Sequence, residues 1–247
     1  MYDFDRVIDR HGKNSAKWDE RFIGKEDQEL LPFWVADTDF PAPKAVQRAL
    51  AECVEHNLYG YSLPPAGCAK AAADWQKRRH SFDARPEWAV FMAGIDSALA
   101  ASVIFIADEK MRHQFEEEKD RCCNNTNLLG LVAMEAAYRD GDTYADELVD
   151  YLQDNRDFAT DFIKQRLPGL RVLKPEATFL LWIDCSGLEI PAEKLEDFFR
   201  LAGILLSMGS GYREPTGQFV RLNFGCSRAV LEEGLSRISE AVLKKDF

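Results

Sequence analysis

Absences narrow this sequence before any motif does. No apolar run approaches the roughly 18 residues needed to cross a bilayer. The opening MYDFDRVIDR is acidic and has no signal-peptide core, so the cytoplasm is the expected compartment. There is no excess of base. The formal charge is −11, with 31 Lys and Arg scattered among 42 acids, a balance that repels phosphate backbones and argues against nucleic acid as a partner. Histidine is scarce: His11, His56, His80 and His113 are isolated, with no HExxH, which argues against a metal centre. The six cysteines show no CxxC spacing and read as free thiols. Vicinal Cys122-Cys123 reads as a helix end rather than a redox pair, and Asn124-Asn125-Thr126 as a polar loop. Gly209-Ser210-Gly211 lacks the GxSxG of a nucleophile elbow and the spacing of a dinucleotide fingerprint.

What is present describes a globular protein. Hydrophobic residues make up 46% and aromatics 11%, and a chain of 247 residues buries enough surface for one large or two small domains. Residues 1–31 read as a polar arm lying on a surface. Helical spacing of Val46, Leu50, Cys53 and Val54 predicts a helix, and Ala69 to Arg79 a second. Glu87 to Lys110 reads as a strand (Trp88 to Met92), a turn at Gly94, a brief helix (Asp96 to Ala101) and a strand (Val103 to Ile106). Asp108 to Arg121 is a charged helix touching a core through Met111 and Phe115. Leu128 to Tyr138 is apolar almost all round and should be buried on most sides. A long helix from about Asp142 stops before Pro168-Gly169 and is long enough to connect two lobes. Beyond it strands and helices alternate: Arg171 to Lys174, Thr178 to Ile183, a helix over Pro191 to Ala202, Ile204 to Leu206, Phe219 to Phe224, and a closing helix that Ser227 can cap.

Two places could carry chemistry. In the strand Phe219 to Phe224, alternation puts Val220, Leu222 and Phe224 on one face and Phe219, Arg221 and Asn223 on the other. An arginine held at the centre of a strand is a rigid fork suited to a carboxylate, although half-exposed strands also carry arginine for solubility. At Gly94 a strand meets a helix start and offers backbone N–H groups to an anion. Asp96 in the first turn can satisfy those donors itself and would repel a phosphate.

The segments LPFWVADTDFPAPKAVQRAL, YGYSLPP and EWAVFMAG, followed by LLGLVAMEAAYRDGD, YLQDNRDF, KPEATFLLWIDC and FVRLNFGCSR, resemble in order the MalY/PatB family. These are pyridoxal-phosphate (PLP) carbon–sulfur β-lyases of the class I/II aminotransferase superfamily. By that resemblance Arg221 corresponds to the arginine that binds the substrate carboxylate, and Val35-Ala36-Asp37 to the substrate-side loop, with Ala36 and Asp37 lining it. Tyr61 corresponds to the tyrosine that reaches a neighbouring subunit's cofactor phosphate, and Gly94 with Ile95 to the phosphate-side turn. There Ile95-Asp96 replaces small apolar residues and weakens phosphate binding.

Family members are longer, and the block that should lie near 101/102 is absent. It carries the ring-stacking aromatic residue, the asparagine of NPxNPxG, the aspartate that pairs with the pyridine nitrogen and the lysine that forms the internal aldimine. Every lysine present, from Lys13 to Lys245, lacks that context. The fold expected is α/β: a fold type I PLP-enzyme small domain plus a large domain reduced to helices and an antiparallel strand pair. Its segments would be an arm and small-domain piece over 1–41, the large-domain remnant over 42–141, and a connecting helix with the small domain over 142–247. The resemblance implies that Trp88 to Met92 and Val103 to Ile106, neighbours in the family sheet, pair antiparallel and leave the second strand with an open edge. It also implies self-association, as a homodimer or higher. Two functions stay open. One is a remnant that does not bind PLP covalently and does not catalyse; the other is an active lyase or aminotransferase whose missing block comes from another chain or is left out of this sequence.

Overall fold

A computed structural model describes residues 1–13, 15–19, 30–56, 63–93, 101–121, 127–212 and 217–244. In chain order the main elements are β1 (Leu31–Pro32), α1 (Lys44–His56), α2 (Cys68–His80), β2 (Ala89–Ala93), β3 (Ala101–Phe105), α3 (Glu109–Arg121), α4 (Leu128–Asp140), α5 (Asp142–Arg166), β4 (Arg171–Val172), β5 (Leu180–Asp184), α6 (Leu195–Leu201), β6 (Ile204–Leu205), β7 (Ser207–Met208), β8 (Phe219–Asn223) and α7 (Arg228–Lys244). They form two compact units: residues 41–146, and residues 1–40 with 147–247. The division falls inside α5.

In the unit of residues 41–146, α4 packs on α1 and α2. Small residues let the helices approach: Cys68, Ala72 and Ala73 on α2 and Gly130 and Ala136 on α4 are buried. Asn127 starts α4, its Oδ1 accepting from Gly130 N at 2.7 Å, which satisfies one of the free N–H groups of the first turn. As its all-round apolar sequence predicts, α4 is buried or half-buried along its length up to Tyr138. Strands β2 and β3 pair antiparallel from Ala89↔Phe105 to Ala93↔Ala101, so the segments flanking the expected gap are direct neighbours. Phe91 and Val103 pack against the small core of Cys68, Leu131 and Met134. The brief helix expected over Asp96 to Ala101 falls mostly outside the described residues, and Ala101 itself is in β3.

Helix α3 corrects one expectation. None of its residues is buried, and Met111 stands 60% exposed. Asp108 caps it, accepting from Met111 N at 2.7 Å, and Arg112 donates to the Ile106 carbonyl at 2.7 Å. Local bonds and charge hold this helix, with little apolar burial behind it.

The other unit is built on an antiparallel sheet of order β4-β5-β8-β7, with a separate parallel pair β1-β6. Val220, Leu222 and Phe224 are at most 1% exposed, as strand alternation predicts. They join α5, α6 and α7 residues in one core with Leu181, Phe199 and Leu235. Phe33 lies against Gly234 of α7 so closely that a Cβ there would sit 2.5 Å from its ring. The buried face of α5 runs through Asn155, Ala159, Thr160 and Ile163, while Phe158 and Phe162 are only partly buried. The Asn155 amide is satisfied by the Phe224 and Cys226 carbonyls at 3.1 and 2.9 Å. Of the predicted strand Ile204 to Leu206, Ile204–Leu205 form β6 and pair with β1, and a further strand, β7, follows at Ser207–Met208 and pairs with β8. Ser227 precedes α7 but does not cap it through its side chain, because its buried hydroxyl has no hydrogen-bond partner among the described residues.

The arm is also unlike its expectation. Phe4 is 4% exposed and meets the rings of Phe40 and Tyr151, and Lys17 is 1% exposed. A polar, aperiodic sequence hides this because its anchors are single residues, not a periodic stripe.

Candidate functional site: a carboxylate fork beside a buried charge network

Arg221 sits at the centre of β8, opposite Trp182 of β5 and Ser207 of β7. Its Nη2 donates to the Trp34 carbonyl at 2.8 Å and to Ser207 Oγ at 3.1 Å, while Ser207 Oγ donates to the same carbonyl at 2.7 Å. These bonds fix the guanidinium plane. Tyr212 lies 5.8 Å from its carbon, and Trp182 meets Tyr212 edge-on while stacking on Phe219. The Nε atom is buried and has no hydrogen-bond partner among the described residues. A buried donor left unpaired costs about 1–3 kcal/mol. The group that satisfies a guanidinium edge best is a carboxylate.

Next to Arg221 on the same strand face, Asn223 is 1% exposed. Its Nδ2 donates to the carbonyls of Val35 and Asp37 at 2.5 and 2.9 Å, and its Oδ1 accepts from Gly225 N at 2.7 Å. The strand therefore dictates the shape of the loop from Trp34 to Asp37. Within that loop Ala36 is exposed. The Asp37 carboxylate is already committed, accepting from Arg10 at 2.6 Å.

Arg10 also pairs with Asp39 at 2.8 Å, and Asp39 accepts in addition from Lys17 at 2.6 Å and Trp18 Nε1 at 3.2 Å. Burial opposes the Arg10 charge, yet the hydrogen bonds and charges of Asp37 and Asp39 outweigh it, and its pKa lies above the ordinary arginine value. Below this network, burial pushes the Cys226 thiol up to about 12, which leaves it a neutral packing group.

The structure thus brings Arg221, Ala36 and Asp37 into one neighbourhood. Tyr61, Gly94 and Ile95 lie outside the described residues. Ser207, Asn223, Arg10, Lys17 and Asp39 were missed as a group. Two aspartates alternating after an apolar segment were the one available hint, and their cations lie 20 or more residues away. Among the described residues no group of His, Cys, Asp and Glu could hold a metal ion.

A lysine that carries PLP must be sheltered and able to shed its proton. The described lysines do not fit. Lys17, the buried one, is held by Asp39 and the Asp37 carbonyl, and Lys119, half-buried, faces Asp120. The others are exposed.

The family model for aminotransferase class I and II matches residues 102–238. Cystathionine β-lyase PatB of Bacillus subtilis is 23% identical over 386 aligned positions, covering 97% of this chain and 99% of the relative. Because this chain has 247 residues, more than a hundred of those positions face a gap. Protein MalY of Escherichia coli is 30% identical over 68% of this chain but only 46% of its own length. The crystal structure of cystalysin from Treponema denticola, which contains pyridoxal 5'-phosphate, superposes with a TM-score of 0.89 at 16% identity, covering 100% of both chains. That match shows the fold type I architecture. The chain belongs to the aminotransferase class I and II family, on its MalY/PatB side, and is shorter than PatB, which it matches from end to end.

Proposed function

We propose that this protein is a non-catalytic member of the PLP-dependent C–S β-lyase and aminotransferase family that keeps the family's carboxylate-binding arginine. The observation that carries this reading is the direct pairing of β2 with β3 from Ala89↔Phe105 to Ala93↔Ala101. The two segments flanking the gap close on each other, in a chain whose described lysines are exposed or ion-paired. Without a base at the substrate's α carbon, β-elimination has no first step. Arg221 retains its role: its unpaired Nε and Tyr212-flanked plane form a site for an amino-acid carboxylate. Ala36 lines that site, while Asp37 shapes it through Arg10.

The test has two arms. Incubated with PLP, the protein should show no visible absorbance that borohydride abolishes, and should release no keto acid from cystathionine. Either signal would defeat the inactive reading and support a block supplied by a second chain. In the other arm, chemical-shift titration with an amino acid should perturb the β8 amides, and Arg221→Lys should weaken that response about tenfold, because an ammonium cannot offer the two-pronged edge. An unchanged response in Arg221→Lys would remove Arg221 from the site.

A further inference from the structure

The backbone of β3 carries an edge that no other described strand pairs with. Ile106 N donates to the Trp88 carbonyl at 2.9 Å. With the register Ala89↔Phe105, Val90↔Ile104, Phe91↔Val103, this places Ile104 and Ser102 in the hydrogen-bonded positions of the ladder. Val103 and Phe105 therefore direct their N–H and C=O groups away from β2, to the open side, as does Ala101. Among the described residues none supplies Val103 or Phe105 with a backbone partner there.

Natural sheet edges are normally blunted by a lysine, a proline, a bulge or a covering element. This edge has none of the sequence devices: from Leu99 to Ala107 the chain reads LAASVIFIA, without charge or proline. The β2-β3 sheet has only two strands, which is marginal without further pairing or packing. One face rests on Cys68, Leu131 and Met134, with Phe91 and Val103 against them, and on the other Val90 of β2 is buried. Ile104 on the opposite face is 40% exposed.

We propose that two copies of this chain associate by pairing their β3 strands antiparallel about a twofold axis, forming a continuous four-stranded sheet in the order β2-β3-β3-β2. The occupant is specified by the strand itself. Outward-facing backbone groups recur at Ala101, Val103 and Phe105, spaced symmetrically about Val103. A twofold axis at Val103 then sets it opposite the partner's Val103, and Ala101 opposite the partner's Phe105, exchanging about six N–H···O bonds. Such an isologous contact closes on itself and leaves no further β3 edge to recruit a third copy. No charges face each other across it, and the β-branched and aromatic cross-strand pairs are the kind that stabilise sheets. The proposal stands whether or not catalysis is lost, because it uses only the geometry of β3.

The experiment is residue-resolved amide hydrogen exchange on the full chain, run beside sedimentation at matched concentrations. The expected result is a mass that rises to that of two chains, with the Val103 and Phe105 amides becoming protected at least tenfold over the same range. The Ile104 amide, bonded to β2 in every state, should stay constant. Val103→Pro removes only an outward N–H and should shift the midpoint of association upward at least tenfold. Three outcomes would overturn the proposal: a single-chain mass throughout; a dimer in which the Val103 and Phe105 amides keep exchanging freely; and growth beyond two chains, the mark of β3 pairing head-to-tail on the outer edge of β2. The wild-type exchange pattern decides the matter even if Val103→Pro does not fold.

Discussion

The two units of this molecule differ in what their strands have to lean on. In the unit of residues 1–40 and 147–247 the four-stranded sheet is backed by a continuous core in which Leu181, Val220, Phe224, Leu231 and Ile204 are fully enclosed. In the unit of residues 41–146 the core cluster reduces to Cys68, Leu131 and Met134, and no residue of α3 is fully buried. Hydrophobic stabilisation scales with apolar area removed from water, so one unit holds its shape by interior packing and the other by helix pairing, caps and surface charge. The two units thus differ in the depth of the core behind their strands.

The largest expected effect tests the charge network of the well-packed unit. Asp39→Ala leaves the buried Lys17 ammonium without its carboxylate partner, at a cost of about 3–5 kcal/mol. A urea titration reads this as a drop in midpoint at unchanged slope, and a loss below 1 kcal/mol on that same scale would show the network to be incidental.

The next measures the contrast itself. Leu235 and Leu131 are 1% and 2% exposed. Leu235→Ala should cost about 4 kcal/mol, because its neighbours cannot collapse into the space, and Leu131→Ala about 2–3, because the sparse core around it relaxes. Thiol labelling read by mass spectrometry should show the same order. Burial holds Cys68 at about 11 and Cys185 at about 12, so both react only on opening, and Cys68 should react at lower urea. Equal costs and simultaneous labelling would erase the distinction between the units.

Smaller still, Gly234→Ala drives a methyl group toward the Phe33 ring and should destabilise by about 1–3 kcal/mol, whereas Gly211→Ala meets nothing within 4 Å and should stay within about 0.5. The smallest effect is a pH dependence. Asp157 hydrogen-bonds to Arg156 and Lys174, which lower its pKa from 3.8 to about 2. A depressed folded value means the contribution is complete above the unfolded value and disappears as pH falls from 3.8 toward 2. The carboxylate is 46% exposed, so solvent screening holds this to under about 1 kcal/mol. Asp157→Asn should show a slightly flatter acid limb than wild type in thermal melts, and less so at high salt.

The legibility of these features follows their range along the chain. The alternation of Val220, Leu222 and Phe224 is a local pattern and reads directly as a buried strand face. Asn223 was assigned to the same side as Arg221, and it lies there, but its burial depends on the loop from Trp34 to Asp37, which no pattern in β8 reveals. Met111 carried an apolar signal with no surface to receive it, since helical periodicity states which face is apolar and never whether a partner exists. The antiparallel pairing of β2 with β3 was foreseen through the family resemblance alone. The apolar residues on either side of Gly94 would have fitted several arrangements.

The parallel pair β1-β6 has a consequence for the time course of folding. Leu31 meets Ile204, and Asn223 N donates to the Phe33 carbonyl, so the well-packed unit is stitched from segments separated by most of the chain. Closing so long a loop is slow relative to local contacts. On a ribosome residues 41–146 are complete long before residues 204–223 emerge, so the thinly packed unit is the first to be able to form. It must wait, with the bare backbone of Val103 and Phe105 facing other nascent chains, until synthesis lets its better-built companion close. Limited proteolysis of stalled nascent chains would show this order as early protection of α4 and late protection of β8.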